Sequence, residues 1–99
     1  MAYIVVMGSF PAHIGMEVGK KFIKLEKLPD FVKTEHVFNA AVGDITFFSI
    51  FKIEDDSKYF DALKAITKRF SAYMDVVGYK YTLYPVLEAK DALSMVGLG

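Results

Sequence analysis

The 99-residue sequence contains no cysteine and no tryptophan. Without cysteine, the chain has no disulfide bond, no thiolate nucleophile and no thiolate metal site. This absence leaves the redox compartment undetermined, so a cytoplasmic location is the default expectation. The glycines form neither a dinucleotide-binding fingerprint nor a P-loop, and the sequence therefore gives no support for a nucleotide cofactor.

The sequence also lacks an excess of charge and a long apolar run. Twelve basic residues balance twelve acidic residues, and the formal net charge is zero. Such a chain has no long-range field that would attract nucleic acid or an anionic membrane. No apolar run approaches the ~18 residues of a membrane helix, and the apolar residues 1–10 are expected to form a strand rather than a signal segment. We expect neither nucleic acid nor a membrane as partner.

Apolar and aromatic residues are abundant for so short a chain. They make up 54% and 15% of the sequence, and a chain of this size buries only about two thirds of its unfolded surface. We therefore expect a single domain over residues 1–99 with one core. Part of its apolar surface is expected to seek a partner.

The first third of the chain predicts a strand followed by a helix. Residues 3–7 are apolar at every position, as in a strand that is covered on both faces. Gly8 is expected to end this strand. A helix is predicted after Pro11, from an apolar stripe formed by Ile14, Val18, Phe22 and Leu25. It should end near Leu28, because the residue before Pro29 is disfavoured in the helical region.

The rest of the chain predicts a hairpin, a helix, a strand and a short terminal helix. Residues 32–41 and 45–53 read as strands around Gly43. Asp55, Asp56 or Ser57 caps the second helix, which should end at Gly78. Its predicted buried stripe is Phe60, Leu63, Ile66, Phe70, Tyr73 or Met74, and Val77. A fourth strand over 79–87 and a short helix over 88–96 follow.

The order of these elements predicts the α+β class with a ferredoxin-like βαββαβ topology. Right-handed crossovers give a four-stranded antiparallel sheet in the order 4-1-3-2, with two helices on one face. Strands one and three have apolar residues on both faces, so the second face of the sheet also requires cover. A second copy of the chain is the simplest way to supply this cover. The alternatives are that the C-terminal segment folds over this face or that its apolar residues stay exposed.

Three segments of the chain resemble the dimeric α+β barrel superfamily. They are the run 3–7 leading into a helix, the segment 28–32 and the ending Tyr84-Pro85-Val86-Leu87. The resemblance is nearest to small stand-alone members of unknown function, and it implies that two subunits pair sheet against sheet. The superfamily includes cofactor-free oxygenases, haem-degrading enzymes, isomerases, polyketide cyclases and sensor domains, so membership leaves the function open. Its haem-degrading and quinone-forming branches typically use a tryptophan, which this chain lacks.

His13, in the first turn of the first helix, is the candidate catalytic base. The topology brings the start of this helix to the end of the sheet where strand two and helix two end and strand four begins. We therefore expect Asn39, Asp44, Tyr73 and Tyr79 near His13 as ligand-binding residues.

The second histidine, His36, lies towards the other end of the sheet. Its neighbour Glu35 is expected to point to the opposite face, so the two form no dyad. Neither histidine has a second ligand at a recognised metal spacing. We expect no metal and no cofactor.

Three functions remain open. The leading hypothesis is a homodimer that binds an apolar or aromatic small molecule in a pocket between helices and sheet. The second is a cofactor-free enzyme of monooxygenase, isomerase or cyclase type, with His13 as base and Tyr73 or Asn39 polarising the substrate. The third is a module whose self-assembly is its function. A set of aromatic residues could line a ligand slot, although their spacing favours core packing: Phe47, Phe48, Phe51, Phe60, Phe70 and Tyr73.

Overall fold

A computed structural model describes residues 2–98, which form four strands and three α-helices. In chain order these are β1 (Ala2–Phe10), α1 (Gly15–Phe22), β2 (Val32–Val42), β3 (Asp44–Ile53), α2 (Tyr59–Ser71), β4 (Lys80–Val86) and α3 (Ala89–Met95). Short 3-10 turns over Ala12–Ile14 and Asp56–Lys58 lead into α1 and α2. Within residues 2–98, no helix has the length and apolar character needed to cross a membrane.

The four strands form one antiparallel sheet in the order β2-β3-β1-β4. This is the predicted order 4-1-3-2 read from the opposite edge, so the α+β class and the strand order are confirmed. β2 and β3 form the predicted hairpin, and Gly43 supplies the positive φ of +89° that its turn requires.

The core lies between α1, α2 and one face of the sheet, here called the helix face. The strands contribute Ile4, Val6, Phe47 and Phe51, and the helices contribute Val18 and Ile66. This packing arises because alternate strand residues share a face and residues four apart share a helix side.

β1 does not break at Gly8 as the sequence predicts but continues to Phe10. Gly8 pairs with Phe47 on one side and Tyr81 on the other. A Cβ atom at Gly8 would meet the Lys80 carbonyl oxygen and the Phe47 ring. Glycine is therefore part of the strand here because it leaves room for a neighbouring backbone and an aromatic ring.

α1 is shorter than predicted, since it ends at Phe22 rather than near Leu28. After Phe22 the backbone tightens, with bonds from Lys24 N to Lys21 O and from Leu25 N to Phe22 O. Val18 is buried and Leu25 packs against the core, but Phe22 remains 49% exposed. The helix ends before Pro29 can have any influence on it.

α2 begins as predicted and ends earlier, at Ser71 rather than Gly78. The Asp55 carboxylate caps its leading turn by accepting hydrogen bonds from the Ser57 N–H at 3.0 Å and the Ser57 hydroxyl at 2.6 Å. The buried side chains of the helix lie four residues apart, at Ala62, Ile66 and Phe70.

Three members of the predicted stripe of α2 are not in the core. Phe60 is 65% exposed, and Met74 and Val77 are more exposed still. Phe60 lies two positions from Ala62, which places it on the far side of the helix. Met74 and Val77 follow the end of the helix, so helical periodicity no longer applies to them.

The other side of the sheet, here called the open face, is also apolar. Its apolar side chains include Val5, Met7, Phe38, Phe48, Ile50, Tyr84 and Val86, with Met7, Phe38, Phe48, Tyr84 and Val86 between 36% and 45% exposed. α3 does not cover them, because every one of its residues is itself exposed. Within residues 2–98 nothing covers this face, and the alternative of a C-terminal segment folded over it is wrong for these residues.

A candidate ligand-binding cleft

The helix layer leaves a gap over β2 and β3. A cleft of about 630 Å³ lies between α1, the C-terminal end of α2 and this half of the sheet. α1, which borders this gap, has only eight residues. The volume lies within the range typical of small-molecule sites in proteins.

Aromatic rings form the inner wall of the cleft. The Tyr73 and Tyr79 rings stack with centroids 4.4 Å apart and planes 6° from parallel, and the Phe47 and Phe70 rings lie parallel at 6.1 Å. Stacked rings hold one another in place and provide a flat apolar surface. Phe10 and Phe51 complete this wall.

The α1 side of the cleft is lined by Gly15, Val18, Gly19 and Phe22. Glycine in a helix costs about 0.5–1 kcal/mol relative to alanine. No steric contact within residues 2–98 requires a glycine at position 19, because a Cβ atom there would meet nothing within 4 Å. The glycine keeps the cleft wide at a point where the chain itself does not fill it.

β2 supplies Thr34, Val37 and Asn39 through an irregularity in its pairing. The register shifts between Thr34 and His36, so that Val37 lies opposite Ser49 and Asn39 opposite Phe47 on the helix face. Regular pairing from Thr34 onwards would have put His36 on the helix face and Asn39 on the open face. The bulge therefore decides which polar side chain enters the cleft.

The same bulge corrects the expected orientation of Glu35. The Glu35 carboxylate lies 3.9 Å from the Lys52 ammonium, and Lys52 pairs with Tyr3 in a row of the open face. His36 stacks on Phe38 on this face, with centroids 5.2 Å apart. The prediction that Glu35 and His36 point to opposite faces was wrong, because it assumed an unbroken strand.

Ser49 lies at the floor of the cleft. The residue is only 4% exposed, and its side chain forms no hydrogen bond to another residue of 2–98. Within these residues no buried side-chain oxygen or nitrogen is sealed off without a partner. The Ser49 hydroxyl therefore opens into the cleft that the residue lines and is available to a bound molecule.

Two phenols add further hydrogen-bond donors. Burial raises the pKa of Tyr73, and the positive charge of Arg69 partly opposes that increase. Burial also raises the pKa of Tyr79, with smaller contributions from the Tyr73 and Tyr81 phenols. Both phenols accordingly remain protonated at neutral pH.

Arg69 is the single charged residue among those that line the cleft. Its Nη1 donates a hydrogen bond to the Glu26 carbonyl oxygen at 3.0 Å, which joins α2 to the segment after α1. The guanidinium carbon lies 6.0 Å from the centre of the Phe22 ring. These two contacts hold the positive charge at the α1 side of the cleft.

The structure brings together three of the five predicted site residues. Asn39, Tyr73 and Tyr79 line the cleft, whereas His13 and Asp44 do not. His13 is exposed in the turn before α1, and Asp44 is exposed beside the hairpin turn. A shared end of the sheet was too coarse a criterion, because it did not specify the direction of each side chain.

Of the six aromatic residues predicted as a possible ligand slot, four line the cleft and two do not. Phe47, Phe51, Phe70 and Tyr73 belong both to the core and to the cleft wall. Phe48 lies on the open face and Phe60 faces solvent.

Sequence reasoning missed Gly19, Ser49 and Arg69. Gly15 and Gly19 stand one turn apart in a helix, which is a readable signal of an open helix side. Arg69 is the single arginine of the chain, but its position over the cleft depends on where α1 ends. Ser49 lies within an apolar strand and gives no signal of its own.

The fold and cleft define a small α+β protein with ferredoxin-like strand order and an aromatic-walled cleft between helices and sheet. No protein-family model and no curated protein matches the chain. Among solved structures, the crystal structure of a tripeptidase from Staphylococcus aureus subsp. aureus Mu50 matches 99% of this chain, with 9% identity and a TM-score of 0.49. This chain spans 36% of the tripeptidase chain. A likeness at this level carries no argument about function.

Proposed function

We propose that this protein binds an apolar or aromatic small molecule in the cleft. The observation that carries the proposal is the open space of about 630 Å³ beside a stacked aromatic wall. Phe22 and Val37, which line it, remain 49% and 43% exposed. Covering apolar surface of this kind contributes about 25 cal/mol per Å² to binding before its entropic cost.

The proposal is for binding without catalysis. The residues that line the cleft include no histidine, aspartate, glutamate or lysine. The enzyme hypothesis as stated requires a group in the cleft that accepts a proton from the substrate at working pH. His13, which was assigned this role, lies outside the cleft, so the geometry offers no support for the enzyme hypothesis.

The test is a titration of the labelled protein with cinnamamide, a neutral aromatic probe, followed by NMR. Amide shifts should change at Gly15, Gly19 and Tyr73, which line the cleft. A Gly19→Leu variant should bind at least about tenfold more weakly, because its side chain occupies the space that glycine leaves open. Lys20→Leu is the matched control: it adds the same side chain at the next, exposed position, outside the cleft.

Unchanged affinity in Gly19→Leu, with both variants folded by circular dichroism, would place any binding elsewhere. Shifts confined to the open face would have the same meaning. Loss of binding in Lys20→Leu as well would show that the effect is not local to the cleft.

We further propose that two copies pair through the open face to form a dimeric α+β barrel. The two central rows of this face are His36-Ile50-Val5-Tyr84 and Phe38-Phe48-Met7-Thr82. Formally charged residues lie in the rows towards its ends, at Lys33, Lys52, Lys80 and Asp44, and Glu35 at the bulge lies 3.9 Å from Lys52. An apolar centre with a polar rim is the usual anatomy of an interface, and aligned sheets pack about 10 Å apart.

Analytical ultracentrifugation of two phenylalanine variants tests the pairing. Phe48→Glu places a charge in the centre of the open face and should give monomers. Phe60→Glu is the control, because Phe60 is exposed on α2 and away from the sheet. The wild type and the control should sediment as dimers at the same concentration. A monomeric wild type would contradict the pairing, and larger assemblies would favour the self-assembly module.

A further inference from the structure

We infer that the ligand carries a carboxylate and that Arg69 binds it, an inference that rests on the proposed function. The juxtaposition that supports it is a half-buried arginine beside an aromatic-walled cleft whose lining contains no acidic residue. The ligand class is therefore an aromatic or apolar organic acid.

The charge of Arg69 has no ion-pair partner among residues 2–98. Glu26 provides its carbonyl oxygen to Arg69, while its carboxylate lies 4.0 Å from the Lys68 ammonium. A positive charge beside an apolar cleft favours an anionic ligand, because the low-dielectric surroundings strengthen the attraction.

The guanidinium also has donors to spare. Arginine has five N–H donors in a planar fork, and a single hydrogen bond to the Glu26 carbonyl is present. The planar fork matches the two oxygens of a carboxylate. Because the carbonyl bond and the Phe22 ring already hold the group, little further ordering is needed when a ligand binds.

The other polar groups of the cleft are compatible with an anion. Ser49 is more than nine-tenths buried, and its hydroxyl, which has no partner among residues 2–98, opens into the cleft. The Asn39 amide and the Tyr73 phenol also line it. All three groups can donate a hydrogen bond and none carries a negative charge, so a cationic ligand would find no counter-charge.

The experiment compares cinnamate with cinnamamide by calorimetric titration. The two probes share ring, length and shape, and differ in the charge of the terminal group. The wild type should bind cinnamate about tenfold more tightly, since hydrogen bonds to charged groups exceed neutral ones by roughly one factor of ten in affinity. Arg69→Met retains an apolar side chain and removes the charge, so the ratio of its affinities for cinnamate and cinnamamide should fall to about one.

Lys68→Met is the matched control, because Lys68 precedes Arg69 on α2 and does not line the cleft. It should keep the preference for cinnamate.

Equal wild-type affinities for both probes would overturn the carboxylate inference and leave the proposed function intact. Failure of both probes to bind would count against the proposed function itself. A preference that persists in Arg69→Met would show that another group selects the anion. If Arg69→Met does not fold, Arg69→Lys keeps the charge without the fork and should show a reduced preference.

Discussion

The two faces of the sheet have similar apolar side chains but different cover. On the helix face, α1 and α2 enclose the core and leave a cleft over β2 and β3. On the open face, the rows around Phe48 have no cover within residues 2–98. A partly covered face forms a concave site suited to a small molecule, whereas a broad uncovered face suits a broad partner. The apolar residues of the sheet thus support two kinds of contact, one with a small molecule on the helix face and one with a broad partner on the open face.

β3 shows the contrast within a few residues. Phe51 points to the helix face and is 2% exposed, while Phe48 points to the open face and is 36% exposed. The Phe51 ring meets the Phe70 ring edge-on at 6.1 Å, and the Phe48 ring lies against Phe38 of the neighbouring strand at 5.0 Å. The same side chain is therefore a core residue in one position and a surface residue in the other.

The largest expected effect comes from truncating these two rings. Phe51→Ala should lower the free energy of unfolding by about 3–5 kcal/mol, the usual loss for a fully buried phenylalanine. Phe48→Ala should cost the dilute, monomeric chain less than about 1 kcal/mol, because the ring is uncovered there. Urea denaturation followed by circular dichroism measures both.

Repeating the denaturation at higher protein concentration sharpens this comparison. If two open faces pair, the loss in Phe48→Ala should grow with concentration, because only the native state associates. Similar losses for both variants in the dilute chain would mean that the open face is packed within one chain.

A smaller effect on the free energy of unfolding should distinguish Gly8 from Gly19. Gly8→Ala should lower the free energy of unfolding by about 1–3 kcal/mol, because the new methyl group meets Phe47 and the Lys80 carbonyl. Gly19→Ala should raise it by about 0.5–1 kcal/mol, because the methyl group enters empty space in a helix. Thermal and urea unfolding of both variants provide the measurement. A destabilising Gly19→Ala would show that the α1 side of the cleft is filled.

Much of the fold could be predicted from the sequence. Runs such as 45–53 and the stripe around Ile66 have strong periodicity, and right-handed crossovers reduce the possible strand orders to few. The order β2-β3-β1-β4 follows from these rules. Helix ends were predicted less well, because α1 ends through a local tightening after Phe22 that no proline or glycine marks.

The candidate site was less predictable because it depends on side-chain direction. A single extra residue near Glu35 reverses the faces of everything after it in β2, which moves Asn39 into the cleft and His36 out of it. No local sequence feature specifies that bulge. Arg69 becomes a cleft residue only through the length of α1 and the position of Glu26.

The smallest expected effect concerns the buried phenol Tyr79 at alkaline pH. Burial raises its pKa above the ordinary value of 10.0 in the folded chain, so the folded state retains a proton that the unfolded state loses. The contribution of Tyr79 to the free energy of unfolding should therefore be constant below about pH 10, and the free energy should fall as the pH rises above this value towards the folded-state pKa. In Tyr79→Phe this fall should be smaller, although the Tyr73 phenol, whose pKa is also raised, retains part of it. Tyr84→Phe, which removes a phenol exposed on the open face of the single chain, is the matched control when all three proteins are dilute and monomeric. Urea denaturation across this pH range compares the three proteins. A Tyr79→Phe curve that falls as steeply as the wild type would mean that the phenol is already solvated, and that the inner wall of the cleft is wetter than the stacked rings indicate.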